Sequence, residues 1–476
     1  MTAMGHESDT PVESRARVSH PARRRRRPPL TSRQRRTLAL LFAAGVAVRL
    51  MLLPLPGHSG DRGYFVRWAH LLTEQPLDRA YDPGRWQPDH LPPDLLTHWI
   101  LASFYKAIGG LDFDSPSYGA LVKVLPNAAD VLLAVLILVY VAATRGRAAG
   151  VLGAGLVLLS PPLILTSGVW GQWDSQALLL LAVSGFAAWR WPRVGGLFLP
   201  AAVYAVFIKP PLAVIALPVI LVPLVRTARR ARAEAEGPGR WVPVRRFLTH
   251  LFGGAALGLV LVGLVSAPFN VSLIKVTGSH FFLDLVAMAG NKYQYRAMNS
   301  PNLWGLLQHP MERIPDTDPL ALGLSASAWG LLLFLAFAAA VAVVAFIRHR
   351  TPVFRSDAAF GLWCAAALLW GSTFFLTRVH ERYVLPEVVV TLVLALLVQR
   401  RTAWVIFVCA SLSSTICTVS GLLQANRLVM NQQVWVLGCV AYLIVGILLM
   451  ALPFLRQPAR QATVTGARAM LHREGL

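Results

Sequence analysis

Asp61 stands in the stretch Gly60-Asp61-Arg62-Gly63-Tyr64-Phe65-Val66-Arg67-Trp68, just beyond the first long apolar run of the chain. A carboxylate set among aromatic and cationic residues at the end of such a run can act as a base at a membrane surface, because nearby positive charge keeps it ionised. It can equally cap a helix, accepting from the amides of Gly63 or Tyr64. Arg378-Val379-His380-Glu381-Arg382-Tyr383 is the densest polar hexapeptide. Its guanidinium groups suit bidentate oxyanion contacts, and Glu381 can hold one of them in place. In a helix, Arg378, Glu381 and Arg382 would share one face; anchoring of Arg and Tyr in a headgroup layer is the plainer alternative. Trp170-Gly171-Gln172-Trp173-Asp174 joins two indoles, able to stack on sugar rings, to a carboxylate that can bind hydroxyls or cap the next helix. Lys209, before Pro210 and Pro211, can meet a phosphate or snorkel to a surface. Asn302 and Trp304 can contact a substrate or order a turn.

The elements that must position these residues are apolar. The chain has 476 residues, 55% hydrophobic and 14% charged, with a mean hydropathy of +0.54; soluble proteins carry about 25% charged residues. Apolar blocks near the roughly 20 residues that cross a bilayer fall at 37–56, 120–144, 149–167, 174–190, 194–209, 210–226, 248–268, 327–347, 358–377, 383–399, 402–421 and 433–455. They predict an all-α polytopic membrane protein of about 12 spans, within a range of 10–13. A basic tail over 1–36 is expected to be disordered, a membrane domain runs over 37–455, and a second tail over 456–476. The first block lacks a small-residue cleavage site and is expected to stay as a signal anchor. The first and fourth outer connections, 57–119 and 269–326, are long. Within the first, Leu95–Ile108 is too short to span and reads as a helix lying in the interface.

A net charge of +22 invites a nucleic-acid partner, but the basic residues sit in short connections and tails. Lys and Arg divide 30 to 14 in favour of the proposed inner side, with Arg49 inside the first span, and acidic residues divide the other way. That asymmetry orients membrane proteins; it puts both termini in the cytoplasm and argues for membrane lipid, and no nucleic acid, as the partner. Cys364, Cys409, Cys417 and Cys439 lie in apolar blocks without a CxxC pair and read as core residues. Asp112-Phe113-Asp114 and Asp316-Thr317-Asp318 have no clustered His or Cys nearby, which gives a metal site little support. No P-loop or GxGxxG opens a helix after a strand, so cytoplasmic nucleotide chemistry is not supported. Nearly all Trp-Asp, His-Glu and Asn-Trp combinations fall on the outer side, where a polar site is therefore expected.

The order and shared side of Asp61 with Trp68, Gly171-Gln172-Trp173-Asp174, Lys209-Pro210, Asn302-Leu303-Trp304-Gly305 and His380-Glu381-Arg382-Tyr383 carry a resemblance. Over about residues 36–400 the chain resembles the GT-C class of membrane glycosyltransferases, which take sugar from a polyprenyl-phosphate carrier on the outer membrane face. More narrowly, it is similar to bacterial relatives of the second mannosyltransferase of GPI-anchor assembly. The resemblance implies that Asp61 deprotonates an acceptor hydroxyl, which displaces the lipid phosphate with inversion. Arg378, His380, Arg382 and Lys209 would neutralise that phosphate. Trp173, Asp174, Asn302 and Trp304 would contact sugar or acceptor, with Trp68, Glu381 and Tyr383 completing the substrate-binding set. It implies a hexosyl transferase, mannosyl by the narrower likeness, in a bacterial cell membrane, serving an extracytoplasmic glycan, glycolipid or protein acceptor. The lipid-linked donor is its substrate, and no cofactor is expected. Some members carry a second acid in the first loop, whereas Arg62 follows Asp61 here; this argues against a metal and leaves Asp82 and Asp89 as rival bases. Two other functions remain open. A flippase or transporter of a lipid-linked sugar would need midspan charges, for which Arg49 and Asp130 are candidates, and internal repeats. An envelope-assembly scaffold would dock through the arginine tail.

Overall fold

Thr31 and Gln34 open the first helix with a reciprocal cap: the Gln34 amide donates to Thr31 Oγ1 and the Thr31 amide to Gln34 Oε1, both at 3.2 Å. The computed structural model describes residues 30–82, 88–191, 198–234, 242–308, 312–348, 353–354 and 356–455. Residues 1–29 and 456–476, which make up nearly all of the two tails, lie outside the described residues, as does Trp86. Seventeen α-helices follow in order: α1 (Ser32–Leu52), α2 (Ser59–Glu74), α3 (Pro92–Ala107), α4 (Pro116–Arg145), α5 (Arg147–Leu158), the single turn α6 (Pro161–Leu163), α7 (Asp174–Arg190), α8 (Leu199–Ile208), α9 (Ala213–Glu234), α10 (Val242–Ser266), α11 (Phe282–Asn291), the single turn α12 (Leu303–Leu306), α13 (Ala326–Arg348), α14 (Asp357–Phe375), α15 (Leu385–Val398), α16 (Arg401–Ala425) and α17 (Gln432–Ala451). Two-residue strands β1 (Val271–Ser272) and β2 (His280–Phe281) pair in parallel before α11.

A helix occupies each of the twelve expected segments, and among the described residues seven helices are long and apolar enough to cross a membrane. The helices at 174–190, 194–209 and 383–399 have 17, 10 and 14 residues, less than a full bilayer crossing. α8 is cut short at Lys209 by the two prolines, and α15 begins only after a 3-10 turn over Glu381–Val384.

α15 is the axis of the bundle. Every one of its residues is buried, Glu387 and Thr391 among them, and α4, α5, α14 and α16 pack around it. α10 and α13 are peripheral: only 17% and 11% of their apolar windows lie inside the protein, which leaves broad apolar faces suited to lipid.

Both long connections are folded. Residues 57–119 carry α2 and α3, which bury Phe65, Trp68, Leu72, Leu95 and Leu101 in an apolar core of their own. The expected helix over 95–108 belongs to α3, and its Ile100, Phe104 and Ile108 stand exposed at intervals of four, an apolar stripe along one side.

Arg49 and Asp130 meet as a buried ion pair. Arg49 Nη2 lies 3.1 Å from Asp130 Oδ2, and Arg49 Nη1 donates to the Gly45 carbonyl at 3.1 Å. Ser175 Oγ donates to Asp130 Oδ1 at 2.6 Å and lies 2.9 Å from Ser167 Oγ. One network thus joins α1, α4, α7 and the turn over Ile164–Trp170. Replacing one partner strands the other as a buried charge. Asp130→Ala is expected to cost about 3–5 kcal/mol, read as a lower unfolding midpoint in detergent, with Arg49→Met/Asp130→Leu recovering most of the loss. An unchanged midpoint in Asp130→Ala would show that the pair contributes nothing.

Candidate active site

The connections that the sequence puts on one side converge at one end of the bundle, around a cavity of about 920 Å³. Asp61 lies in the first turn of α2, but it does not cap that helix. His58 does, its Nδ1 accepting from the Asp61 amide at 3.1 Å. The Asp61 carboxylate is left to face inward. Its Oδ2 accepts from Trp170 Nε1 at 2.8 Å, from Arg382 Nη1 at 3.0 Å and from Gln172 Nε2. His58 stacks flat on the Trp170 indole, 4.5 Å between centroids, which fixes the indole's tilt.

Local backbone geometry explains how Trp170 and Gln172 both reach one carboxylate. Ile164–Trp170 winds as a π-helix, wider than an α-turn, and ends at Gly171 with φ 86°. The amides of Gly171 and Gln172 both donate to the Thr166 carbonyl at 3.0 Å. The left-handed conformation favours glycine, and a Cβ at Gly171 would stand 3.1 Å from Lys123 Cγ.

Arg382 comes from the 3-10 turn between α14 and α15. Besides Asp61 it faces Asp174, with Nε 3.8 Å from Oδ2, and Glu381, with Nη1 3.9 Å from Oε1. Lys209 Nζ lies 3.3 Å from Asp174 Oδ1. The result is an alternating chain of charges, Lys209–Asp174–Arg382–Asp61. Burial pushes the Asp61 pKa up, but Arg382, then His58, and the Trp170 hydrogen bond outweigh it and leave the group at about 2. Burial raises Glu381 to about 7, only partly opposed by Arg382. Burial lowers His380 to about 3, and Arg382 and Lys209 reinforce the shift, so this imidazole is neutral. Burial would weaken the Arg382 charge, but Asp61 and Asp174 hold its pKa above the ordinary arginine value.

The facing wall holds a second carboxylate. Asp89 Oδ2 accepts from Tyr293 Oη at 3.0 Å and lies 3.1 Å from Lys292 Nζ, which sits 4.6 Å from the centre of the Tyr64 ring. Of the two rival bases, Asp89 lines the cavity and Asp82 does not.

Asp61, Trp68, Asp174, Lys209, Arg378, His380, Glu381, Arg382 and Tyr383 all line the cavity. Several expectations about them change. Arg378 and Arg382 do not share a helical face, because Arg378 has φ 61° and precedes the 3-10 turn. Its side chain turns to Asp316 Oδ2 and Asn291 Oδ1, each at 2.7 Å. Asp174 caps nothing and serves the ion-pair chain instead. Trp173 does not line the cavity; its indole face is taken by His98, 3.9 Å away, and is closed to a sugar ring. Asn302 and Trp304 also lie off the cavity. Asn302 Oδ1 accepts from the Gly305 amide at 2.7 Å, its Nδ2 donates to the Leu376 carbonyl at 3.1 Å, and Trp304 Nε1 donates to the Phe375 carbonyl at 2.8 Å. These two residues fasten the second long connection to the end of α14 and so position the turn that carries Arg382.

His58 and Gln172 are contacts of the carboxylate that residue type and spacing did not single out. Gln172 sits inside the Trp-Gly-Gln-Trp-Asp stretch, but an amide flanked by indoles draws less notice than they do. Among the described residues no three His, Cys, Asp or Glu side chains converge as a metal would require. Asp316 of one DxD pairs with Arg378, and Asp114 of the other lies 3.0 Å from Arg62. None of the four cysteines is in a disulfide.

No protein-family model and no curated protein matches the chain. Among solved structures it is similar to the crystal structure of ArnT from Cupriavidus metallidurans bound to undecaprenyl phosphate, at 15% identity, covering 88% of this chain and 77% of that one with a TM-score of 0.45. The apo crystal structure of ArnT from the same organism aligns at 13% identity over 89% of this chain and 78% of that one, with a TM-score of 0.32.

Gly421 of α16 closes the back of the site. A Cβ there would stand 2.6 Å from Trp170 Cη2 and 3.1 Å from Glu381 Cγ. Gly421→Ala is expected to cost about 1–3 kcal/mol by overpacking, seen as a lower unfolding midpoint. A midpoint equal to that of the parent would show that the indole has room to move.

Proposed function

We propose that this cavity transfers a hexose, mannose by the family resemblance, from a polyprenyl-phosphate carrier to a hydroxyl of an extracytoplasmic glycan, glycolipid or protein. The observation that carries the reading is Asp61: a carboxylate held ionised by Arg382, oriented by Trp170 and Gln172, and open to a cavity of substrate size. The acceptor O–H gives its proton to Asp61 as its oxygen bonds to the anomeric carbon. The bond from that carbon to the phosphate oxygen breaks, and its electron pair leaves on the phosphate. Attack from the face opposite the leaving group inverts the centre. Both termini lie in the cytoplasm and the cavity opens to the outside.

At a pKa of about 2, Asp61 is by itself a weak proton acceptor. Negative charge arriving beside Arg382 divides the arginine's attention and strengthens the base. Asp61 therefore gains proton affinity as phosphate charge develops, so the interaction favours the transition state over the ground state. Arg49 and Asp130, the midspan charges a transporter would use, are bonded to each other away from the cavity lining.

The direct test mixes purified protein with radiolabelled polyprenyl-phosphate-mannose and membrane extract. Transfer is expected to survive EDTA and to fall about 10²–10⁴-fold in Asp61→Asn, with the variant's unfolding midpoint retained. Full transfer by Asp61→Asn would remove the base assignment. No transfer from mannose, glucose or arabinose carriers would remove the enzyme reading.

The pH dependence separates the two carboxylates. Asp61 stays ionised from pH 5 upward, whereas Glu381 titrates near 7. Ionised Glu381 adds negative charge beside Asp61 and competes for Arg382, which raises the base's proton affinity. Transfer is expected to rise through an inflection near pH 7 that Glu381→Gln abolishes. An inflection unchanged in Glu381→Gln would assign it to another group.

A further inference from the structure

A second cleft, of about 420 Å³, opens where α1 begins, at the end of the bundle away from Asp61. It is lined by Leu30 and Arg35 at the start of α1, by Leu138, Val139 and Ala142 near the end of α4, and by Arg147 in the first turn of α5. Gly146, with φ 98°, makes the turn between α4 and α5 and separates two arginines. Arg145 points inward, its Nη2 donating to the Leu397 carbonyl in α15, whereas Arg147 lines the cleft.

α1 and α5 run parallel and in close contact. A Cβ at Gly155 would stand 2.9 Å from Leu41 Cδ1, and one at Gly45 would stand 2.9 Å from Leu158 Cβ. Contacts thus advance together along both helices, so the two begin at one level. The positive ends of two helix dipoles therefore meet at the cleft, and Arg35 and Arg147 add charge of the same sign, an unfavourable arrangement unless an anion joins it. The sequence nearby supplies none. Neither helix has an acid in its first turn, and no acidic residue occurs anywhere in 30–60 or 131–173. Beside this charge the cleft is apolar. Leu132, Val135 and Val139 are all exposed on α4, three and four residues apart, and continue its floor as a stripe along one face of the helix.

We infer that this cleft binds an anionic phospholipid, its phosphodiester between Arg35 and Arg147 and an acyl chain along Leu138, Val139 and the stripe on α4. A free anion would have no use for the apolar floor. A zwitterionic headgroup would bring a further cation to a place already positive. The chain ahead of Leu30, with arginine at 23–27, has the wrong sign to fill the cleft. On the orientation proposed above, this end meets the cytoplasmic leaflet, the side that holds anionic lipid. The lipid would offset the repulsion between the two helix starts and clamp α1 against α4 and α5. The site is separate from the cavity that carries Asp61, and the inference does not depend on what that cavity transfers.

The test measures equilibrium binding of radiolabelled phosphatidylglycerol to the full-length protein, stripped of lipid in detergent, with phosphatidylcholine and inorganic phosphate as competitors. The parent is expected to bind phosphatidylglycerol and to release it to neither. Loss of one charge-assisted contact should weaken binding about tenfold in Arg35→Gln or Arg147→Gln, and Arg35→Lys should recover part of the loss. Arg33→Gln removes the same charge from the same helix but lies off the cleft lining, and it should leave binding within about twofold. Val139→Trp keeps both arginines and narrows the groove, and it should also weaken binding. Arg35 is exposed, so its variants remain informative if Arg147→Gln fails to fold. Undiminished binding by Arg35→Gln, or an equal loss in Arg33→Gln, overturns the site. Unchanged binding by Val139→Trp removes the role of the groove, and equal competition by phosphatidylcholine or by inorganic phosphate removes the selectivity for an anionic lipid; each overturns the inference, as does absence of binding by the parent.

Discussion

The contact between Asp61 and Arg382 is the constraint on which the site depends. It joins residues 321 positions apart, from opposite ends of the membrane domain. Alone, a buried carboxylate and a buried guanidinium are each costly to remove from water. Together they remain charged only because further donors and acceptors complete the set. Trp170 and Gln172 supply the carboxylate, while Asp174 and Glu381 supply the arginine. Lys209 then balances Asp174. Much of the surrounding architecture can be read as the means of holding this one chain of charges in register. The interrupted helix at Lys209 and the π-turn before Gly171 each end a helix early, and the 3-10 turn after His380 delays the start of α15, so that a polar side chain can reach the centre.

Two apolar cores support that arrangement by different routes. The larger, built on α15, fixes where the Arg382 turn emerges. The smaller, built by α2 and α3, fixes the angle at which α2 presents Asp61. The buried Arg49–Asp130 pair connects the helices beneath, and through Ser175 and Ser167 it reaches the same segment that carries Trp170. A polar network below the site thus steadies the backbone of the polar network within it.

The helical, apolar character of the chain was legible from block lengths, and so was the clustering of Asp61, Asp174, Lys209 and Arg382 on one side. Such features depend on local composition and period, which the sequence displays directly. The roles within the cluster were less legible. Arg378 and Arg382 are nearly adjacent in sequence, yet a single left-handed residue sends them to different partners. Trp173 and Trp304 look like sugar platforms by type, but a histidine and a backbone carbonyl occupy them. Arg313 lies in an unremarkable stretch, and only the folded chain brings it to Gln424, 111 positions away. Side-chain type announces capacity, whereas tertiary contact decides which capacities are already spent.

The π-helical turn over Ile164–Trp170 ends on the two side chains that grip Asp61. Its extra width depends on residue number more than on residue identity. Removing one residue from it would tighten the turn to ordinary α winding, roughly 3.6 residues per turn, and the Gly171 and Gln172 amides would lose the geometry in which both meet the Thr166 carbonyl. The exit that lets Trp170 and Gln172 reach one carboxylate would be lost, however well their own types were kept. This segment should therefore tolerate exchanges of similar side chains and resist any change of length, so that in its descendants the spacing between Ser160 and Asp174 is inherited as a fixed measure.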